Sequence, residues 1–286
     1  MTYPAVDTSG TTPALPQIPC RLCEAASQRI FGVTVLGRYD VSYYRCDGCG
    51  SLQTEMPYWL GEAYSDGSGA EANLSDFDTG AAQRNLETLP AVMLVARHLK
   101  LRNVIDHGGG DGLLVRLLRD YGLNAYVYDR YARATYARGF TDPDFKRPDL
   151  ITAFEVFEHF ANPKEEIAEL LASEPKALLI STAVYTGQDT DWWYLYPETG
   201  QHIFFYSEAA MKLLAERFGY ALIRSGGYTL FVKPDTLRGE RILKHGLRYK
   251  ARRILLSWIV LRTSQGDKRD LLRLKEQHRS RSRRED

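Results

Sequence analysis

The sequence has 286 residues, of which 44% are apolar and 26% are charged, and its formal net charge is +1. This composition is typical of a globular protein and excludes a disordered or fibrous chain. The small net charge hides two opposite regions, because residues 1–237 carry a net −9 and residues 238–286 a net +10. The charge pattern therefore divides the chain into an acidic body and a basic tail.

No segment of the sequence is predicted to span a membrane. The longest apolar run of the tail, Ile254–Leu261, has eight residues including Ser257, against the roughly 20 that a spanning helix needs. The N-terminus has no basic segment followed by an apolar one, so no secretion signal is predicted. We therefore expect a cytoplasmic protein, either free or peripheral at the inner face of the membrane.

The four cysteines form two C-x-x-C pairs, Cys20 with Cys23 and Cys46 with Cys49, and 22 residues separate the pairs. Two such pairs can place four thiolates around a structural Zn²⁺. Disulfides are disfavoured in a reducing cytoplasm, and no thioredoxin-like βαβ pattern surrounds either pair to indicate a redox role. We predict a zinc-ribbon module over residues 18–60, with strands between the pairs.

From about Thr79 onwards, helical and strand patterns alternate, which predicts an α/β fold with a doubly wound, Rossmann-like sheet. We place this domain at 61–237, after a flexible N-terminus at 1–17 and the zinc ribbon, and before a basic helical tail at 238–286. The predicted elements are helices at 80–99, 113–121, 164–174 and 207–218 and strands at 103–106, 125–128, 150–154, 177–181, 221–224 and 228–233. One strand is missing from the pattern, since only a weak candidate near Phe140 lies between 129 and 150.

A glycine-rich turn, Asp106–Gly112 (DHGGGDG), follows the first strand of this domain. Glycines between a strand and a helix let the backbone approach a ligand closely. Gly108, Gly110 and Gly112 have the spacing G-x-G-x-G, which differs from the dinucleotide fingerprint G-x-G-x-x-G. Asp129 ends the next strand, where a carboxylate can accept hydrogen bonds from both hydroxyls of a ribose. The combination predicts a ribose-containing ligand at this edge of the sheet.

Residues 80–233 resemble the class I S-adenosylmethionine-dependent methyltransferases. The stretch 104–112 (VIDHGGGDG) is similar to their first motif, and 152–163 (TAFEVFEHFANP) is similar to their fourth-strand region. The stretch 201–207 (QHIFFYS) is typical of a branch that modifies sugars and polysaccharides. Several sugar methyltransferases carry an N-terminal four-cysteine zinc module, so the resemblance extends to 18–60 but does not cover the tail.

This resemblance implies a binding site for S-adenosylmethionine. Gly108 and Gly110 would line the methionine and ribose part, Asp129 would hold the ribose hydroxyls, and Arg130 would lie beside the adenine. Phe154 and Glu155 would lie near the reacting end. The expected cofactor-binding residues are Asp106, His107, Gly108, Gly110, Asp129, Arg130 and Phe154.

Methyl transfer to a hydroxyl also needs a group that removes the acceptor proton, either a base or a metal ion. His159 and His202 follow strands at the carboxyl edge of the sheet and are the candidate bases. Glu155, Glu158 and His159 have the spacing i, i+3, i+4 and would share one face if the segment were helical. Together with His202 they could bind Mg²⁺ or Mn²⁺. In the alternative, Glu158 and His159 only hydrogen-bond the following loop.

Two aromatic segments are candidate parts of the acceptor and cofactor sites. The loop 183–203 is long for a connection and contains Trp192, Trp193, Tyr194 and Tyr196. These side chains suit stacking on a sugar ring, but they could also form a lid or fill the core. The segment Tyr58–Tyr64 joins the two modules, and it either folds over the cofactor or packs between them.

The tail combines basic residues with an approximate helical stripe of apolar ones, formed by Leu243, Leu247, Ile254, Leu255, Trp258 and Ile259. A basic amphipathic helix can dock on an anionic membrane surface or on a partner protein. Disorder and electrostatic binding of RNA are the alternatives. Binding of nucleic acid is disfavoured, because the body of the chain is acidic.

The function predicted from the sequence is S-adenosylmethionine-dependent O-methylation of a sugar hydroxyl in a polysaccharide, glycolipid or nucleotide sugar. C-methylation is a weaker hypothesis, because sugar C-methyltransferases with the zinc module usually carry a large third domain, whereas 49 residues follow the domain here. An RNA or protein acceptor is a further alternative. A non-catalytic interaction protein on a degenerate fold is disfavoured by the intact set of Gly108, Gly110 and Asp129.

Overall fold

The computed structural model describes residues 17–65, 81–248 and 251. The strands are β1 Gln17–Pro19, β2 Ala26–Val35, β3 Tyr39–Cys46, β4 Leu52–Thr54, β5 Asn103–His107, β6 Asn124–Tyr128, β7 Leu150–Phe154, β8 Ala177–Ser181, β9 Phe204–Phe205, β10 Ala221–Ser225 and β11 Tyr228–Val232. The helices are α1 Leu60–Ala63, α2 Ala81–His98, α3 Leu113–Asp120, α4 Pro163–Leu171, α5 Glu208–Phe218 and α6 Glu240–Gly246. Within the described ranges, no helix is both long and apolar enough to cross a membrane.

The larger sheet has six strands in the order β10-β11-β8-β7-β5-β6. The four strands from β8 to β6 are parallel, and β11 and β10 add an antiparallel pair at the β8 edge. Val104, Ala153 and Leu179 on the central strands are fully buried, as expected for a sheet that helices cover on both faces. The predicted α/β, Rossmann-like fold is confirmed.

The missing strand has a physical explanation. No strand lies between Asp129 and Leu150, a range that the structure describes throughout. Phe140 is nevertheless buried, and its carbonyl accepts a hydrogen bond from Val127 N on β6 at 2.9 Å. An irregular loop therefore packs against the β6 edge, where the weak candidate strand was predicted.

The four-cysteine module and the larger domain share a second sheet. Its strand order is β1-β2-β3-β4-β9, and β9 belongs to the loop that follows His202. Leu52 and Gln53 of β4 pair with Phe205 and Phe204 of β9 in antiparallel register. The module is thus joined by backbone hydrogen bonds to a segment that the sequence associates with the acceptor site.

The start of the basic tail packs on the body of the chain. Helix α6 contacts α2 and β10, and Leu243 and Leu247 are fully buried in the main core. These two residues of the predicted apolar stripe are therefore covered by the domain itself. The rest of the stripe, with Trp258, and the predicted flexible N-terminus at 1–16 lie outside the described residues.

Candidate active site

The glycine turn leaves β5 at His107 and enters α3 through left-handed backbone conformations. Gly108, Gly110 and Gly112 have φ values of +68°, +56° and +84°, a region that side chains other than glycine rarely adopt. A Cβ on Gly108 would also lie 2.5 Å from Cγ2 of Val156. The position therefore requires glycine both for its conformation and for its close packing.

Asp129 follows β6 and is fixed opposite the glycine turn. Its Oδ2 accepts a hydrogen bond from Gly110 N at 2.9 Å, and its Oδ1 accepts from Tyr131 N and Ala132 N, both at 2.8 Å. A carboxylate has about four acceptor positions, so it can still accept a hydrogen bond from a ligand. The backbone amides hold the acidic group in one orientation.

A cavity of about 990 Å³ opens between these two turns. Six of the residues predicted from sequence line it: His107, Gly108, Asp129, Arg130, Glu155 and His159. Tyr64 and Tyr131 also line it, and their rings stack at 4.4 Å. Tyr64 comes from the segment between the two modules, so this segment forms part of the cavity wall, while Trp59 of the same segment is buried and donates a hydrogen bond to the Gly200 carbonyl at 2.8 Å.

Other predicted cofactor residues lie away from the cavity wall. Asp106 is buried beneath the turn, where Thr152 Oγ1 donates a hydrogen bond to it at 2.6 Å and burial raises its pKa to about 7. Phe154 packs edge-on against Tyr228 with ring centroids 5.8 Å apart. Asp106 thus supports the turn from below, and Phe154 fills the core.

The segment after β7 forms a compact cluster of carboxyl and imidazole groups. Its backbone is not α-helical, because Glu155 has a φ of +53° and Phe157–His159 form a single 3-10 turn. The predicted shared helical face is therefore absent. Glu158 is fully buried, and its Oε1 lies 3.9 Å from His159 Nε2 and 4.0 Å from His202 Nε2.

Tyr194 joins the two carboxyl groups of this cluster. Its hydroxyl lies 2.6 Å from Glu158 Oε1 and 2.8 Å from Glu155 Oε2. A phenol has one hydrogen to donate, so one of these contacts requires a protonated carboxyl. Burial, reinforced by the Glu155 charge, raises the pKa of Glu158 to about 8, so Glu158 is the protonated partner at neutral pH.

Both histidines are neutral and oriented by neighbouring oxygen atoms. Burial lowers the pKa of His159 to about 3 and also lowers the pKa of His202. His202 Nδ1 lies 2.7 Å from the Tyr194 carbonyl, and His159 Nδ1 lies 2.7 Å from the Tyr64 hydroxyl. Because a carbonyl only accepts, Nδ1 of His202 carries the hydrogen and its Nε2 presents a lone pair.

Residues whose role the sequence did not indicate complete the cluster. Tyr194 was predicted only as an aromatic of the acceptor loop, but it is buried and hydrogen-bonded to the acidic pair. Trp193 and Tyr196 of the same loop are 73% and 46% exposed, and the Tyr196 ring lies 5.9 Å from the His202 ring. The density of aromatic residues in this long loop was the available signal.

A family model described as "Methyltransferase domain" matches residues 79–225, just over half of the chain. The chain belongs to this methyltransferase family. Residues 79–225 therefore form a methyltransferase domain with an α/β, Rossmann-like fold. A search of curated protein sequences finds no match.

Several solved methyltransferases are similar to the chain at low sequence identity and with TM-scores below 0.5. A magnesium protoporphyrin IX methyltransferase from Synechocystis is 16% identical, with 61% of this chain and 92% of that chain covered at a TM-score of 0.42. A 1,6-didemethyltoxoflavin N1-methyltransferase from Burkholderia thailandensis is 14% identical, covering 67% and 93% at 0.43. The mitomycin 7-O-methyltransferase MmcR is 16% identical, covering 62% and 65% at 0.38. These acceptors differ in chemistry, so the likeness identifies no acceptor for this methyltransferase.

The cavity of the methyltransferase domain fits S-adenosylmethionine. Its volume lies in the range of small-molecule sites, and the backbone of Gly108 forms part of its wall. Asp129 offers a fixed carboxylate for ribose hydroxyls, and Arg130 and Tyr131 offer planar groups at the same end. Glu155 and His159 line the wall that leads to the buried cluster.

Two groups of side chains in the methyltransferase can hold a metal ion. In the N-terminal module, Cys20 Sγ lies 3.7 Å from Cys49 Sγ, and Cys23 Sγ lies 3.4 Å from Cys46 Sγ. Tetrahedral Zn–S bonds of about 2.3 Å place sulfur atoms about 3.8 Å apart, so the four thiols fit zinc.

The second group is Glu158, His159 and His202, whose ligand atoms lie within 4.8 Å of one another. Glu158 Oε2 is buried without a hydrogen-bond partner, which leaves one carboxylate oxygen for a cation. Glu155, which the sequence placed in this group, is outside it. Its two oxygens instead accept hydrogen bonds from Ser181 and Tyr194.

Proposed function

We propose that this methyltransferase transfers the methyl group of S-adenosylmethionine to a sugar hydroxyl of a polysaccharide, glycolipid or nucleotide sugar. The observation that carries the proposal is the cluster of Glu158, His159 and His202, which reaches the cavity wall through His159. A hydroxyl acceptor has a high pKa and needs such groups. A reaction at a more acidic or already nucleophilic atom would not need them.

We infer that Gly108 and Gly110 hold the methionine and ribose part of the cofactor and that Asp129 binds the ribose hydroxyls. Asp129 is held by three backbone amides, so its orientation is fixed before the cofactor arrives. Arg130 lies next to it on the cavity wall, at the expected adenine end. His107 stacks on Tyr128 at 5.1 Å and forms the side of this pocket.

The cluster favours a divalent cation over a histidine base. A base works best with a pKa near the working pH, whereas burial lowers the pKa of His159 to about 3. Two neutral imidazoles and one carboxylate suit Mn²⁺ better than Mg²⁺, which prefers oxygen ligands. When bound, such a cation lowers the pKa of a coordinated hydroxyl.

The protein groups around the cluster would orient these ligands. The Tyr194 carbonyl accepts the Nδ1 hydrogen of His202, as second-shell partners of metal ligands commonly do. Tyr64 accepts the Nδ1 hydrogen of His159 in the tautomer that directs Nε2 towards Glu158. Binding of a cation would displace the proton from Glu158, whose pKa is otherwise raised.

The aromatic loop supports a sugar as the acceptor. Trp193 and Tyr196 are exposed, the Tyr196 ring lies 5.9 Å from the His202 ring, and the Trp193 ring lies 5.1 Å from the Tyr194 ring. Flat aromatic faces pack on the apolar faces of sugar rings. Such faces can also bind nucleobases, which keeps RNA as the second candidate acceptor. A panel of glycan, nucleotide-sugar and RNA acceptors with mass spectrometry of the products separates these candidates.

Calorimetry with S-adenosylmethionine tests the cofactor assignment independently of the acceptor. Absence of binding would contradict every catalytic hypothesis and favour a non-catalytic interaction protein.

Electron paramagnetic resonance with Mn²⁺ tests the cation site. We expect Mn²⁺ binding in the wild type and in a His245→Gln control, but weaker Mn²⁺ binding in His202→Ala. Full activity in chelator together with absent Mn²⁺ binding would contradict the cation assignment.

We also infer that the four cysteines bind a structural Zn²⁺. Four thiolates fill a tetrahedral site and leave no open position for catalysis. Cys49 N donates a hydrogen bond to Cys46 Sγ at 3.3 Å, an arrangement that stabilises a thiolate. Measurement of about one zinc per chain, lost on substitution of Cys20 by Ser, would support the assignment.

A further inference from the structure

We propose that Arg21 is a positioning residue that couples the four-cysteine module to the two histidines of the active site. Arg21 lies inside the first cysteine pair, between Cys20 and Cys23. Its side chain extends from the module to the methyltransferase domain, where the guanidinium donates hydrogen bonds to two loops. The proposal deepens the proposed function, because it concerns the same site.

Each hydrogen bond ends next to one of the histidines. Arg21 Nη1 donates to the Ala161 carbonyl at 3.0 Å, two residues after His159. Arg21 Nη2 donates to the Ile203 carbonyl at 2.7 Å, and Ile203 directly follows His202. The planar guanidinium has a fixed spacing between its donors, so it sets the distance between the two loops.

The Ile203 peptide links this contact to the buried carboxyl as well. Its N–H donates to the Glu158 carbonyl at 2.9 Å, while its carbonyl accepts from Arg21 and from Thr54 N at 3.1 Å. A displacement of the Ile203 carbonyl would therefore move the backbone of Glu158 and the adjacent His202. The backbone around all three cluster residues is connected through one guanidinium group.

The charge of Arg21 points to the zinc centre as its counterpart. In the part of the chain that the structure describes, its guanidinium forms no salt bridge and contacts carbonyl oxygens, Gln53 and the Thr54 hydroxyl, while the negative charges that act on it are those of Tyr206, Cys20 and Glu166. A partly buried cation is costly without an opposite charge. Zn²⁺ with four thiolates carries a double negative charge, and Arg21 adjoins one of the four ligands, Cys20, in sequence.

A purely structural role is the alternative, in which Arg21 only fastens the module to the domain. Such a role would change the unfolding midpoint and leave the histidines of the folded protein unchanged. Proton magnetic resonance of the histidine rings in the full chain separates the two, after assignment with His159→Gln and His202→Gln. This readout does not depend on turnover.

The variants are Arg21→Met, Arg21→Lys and the control Arg45→Lys. Arg45 adjoins Cys46 as Arg21 adjoins Cys20, but it is exposed, and among the described residues no hydrogen bond joins its side chain to the two loops. We expect the His159 and His202 resonances to shift in Arg21→Met, to shift less in Arg21→Lys, and to stay at wild-type positions in Arg45→Lys. Turnover with the identified acceptor should fall about 10- to 100-fold in Arg21→Met, as small misplacements of catalytic groups do.

The proposal is overturned if the resonances of Arg21→Met match the wild type, or if Arg45→Lys shifts them equally. If Arg21→Met loses zinc, the test passes to Arg21→Lys, provided that this variant keeps its full zinc content. Shifted His159 and His202 resonances in Arg21→Lys then support the proposal, and unshifted resonances overturn it. Loss of zinc in both variants also overturns it, since Arg21 would then act on zinc binding alone. If the chain transfers no methyl group, the proposed function fails while the resonance test still stands.

Discussion

The proposed cofactor half and the proposed acceptor half of the active site are built in different ways. The cofactor half consists of two short turns, 108–112 after β5 and 129–131 after β6, joined by the hydrogen bond from Gly110 N to Asp129. Each turn is one continuous stretch of sequence at the end of a parallel strand. Its shape therefore depends mainly on local backbone conformation.

The acceptor half is assembled from segments far apart in the sequence. Tyr64, the 155–159 segment, Tyr194 and His202 meet around one buried carboxyl group, and Arg21 contacts their backbone from the cysteine module. The pairing of β4 with β9 brings these parts together. We therefore expect that substitutions in the acceptor half can abolish methyl transfer and leave cofactor binding intact. Substitutions that abolish cofactor binding should also abolish methyl transfer.

The largest effect is expected from Gly108→Val, which tests the local half. The side chain would occupy a left-handed backbone position and overlap Val156. Strain of a few kcal/mol from these two sources should weaken S-adenosylmethionine binding by about 1,000-fold. Calorimetry measures this loss, and Gly61→Ala, whose Cβ meets nothing within 4 Å, is the control. Retained affinity in Gly108→Val would show that the turn does not hold the cofactor.

The same division explains what the sequence could predict. The spacing of Gly108 and Gly110 and the place of Asp129 at a strand end are local features, so they were visible without a structure. Expectations for the acceptor half were incomplete for a physical reason. The left-handed φ of Glu155 breaks the helical spacing of Glu155 and Glu158, and Tyr194, which is distant in sequence, joins the two carboxyl groups instead.

The contacts of Arg21 could not be predicted from the sequence at all. Its carbonyl partners are 140 and 182 residues away in sequence, and carbonyl groups have no residue-type signal. The two cysteine pairs predicted only a structural module. The contact became visible through the sheet that the module shares with β9.

The second prediction, His202→Ala, breaks the assembled half and leaves the local half intact. His202 lies at the cluster but not on the wall of the cofactor cavity. We expect turnover to fall by about 100-fold or more, a typical contribution of a group that handles the acceptor proton. Affinity for S-adenosylmethionine should stay within error of the wild type. Near-normal turnover, compared with the exposed control His245→Gln, would contradict a role in the reaction.

The third prediction concerns the pH dependence of the free energy of unfolding that the buried Glu158 carboxyl causes. Its folded pKa is about 8, above the ordinary value of 4.5, so between these pH values the unfolded chain ionises while the folded chain keeps the proton. Folding stability therefore decreases as pH rises from 4.5 to 8. The Glu158→Gln variant has no titrating carboxyl at this position, so its stability relative to the wild type should rise by about 3.5 kcal/mol from pH 5 to pH 8.

Denaturant unfolding of both proteins in chelator measures this difference. Asp106, with a raised pKa, and the two histidines, with lowered pKa values, also titrate, but they are common to both proteins. We therefore assign to Glu158 only the change with pH in the difference between the unfolding free energies of the variant and the wild type. A constant difference across this pH range would show that Glu158 is already ionised in the folded state.

The smallest effect is expected from Trp193→Ala, which tests the outer edge of the acceptor half. Trp193 is 73% exposed, so its removal leaves no cavity and should not change the unfolding midpoint. Loss of one stacking contact of ~1 kcal/mol should raise the KM for a sugar acceptor about fivefold. The kcat and the affinity for S-adenosylmethionine should remain unchanged. The control is Ile242→Ala, which removes an exposed apolar side chain from α6 and should also leave kcat and this affinity unchanged. A fall in kcat at constant KM would instead place Trp193 among the groups that orient the reacting hydroxyl, and would extend the assembled half of the site to the protein surface.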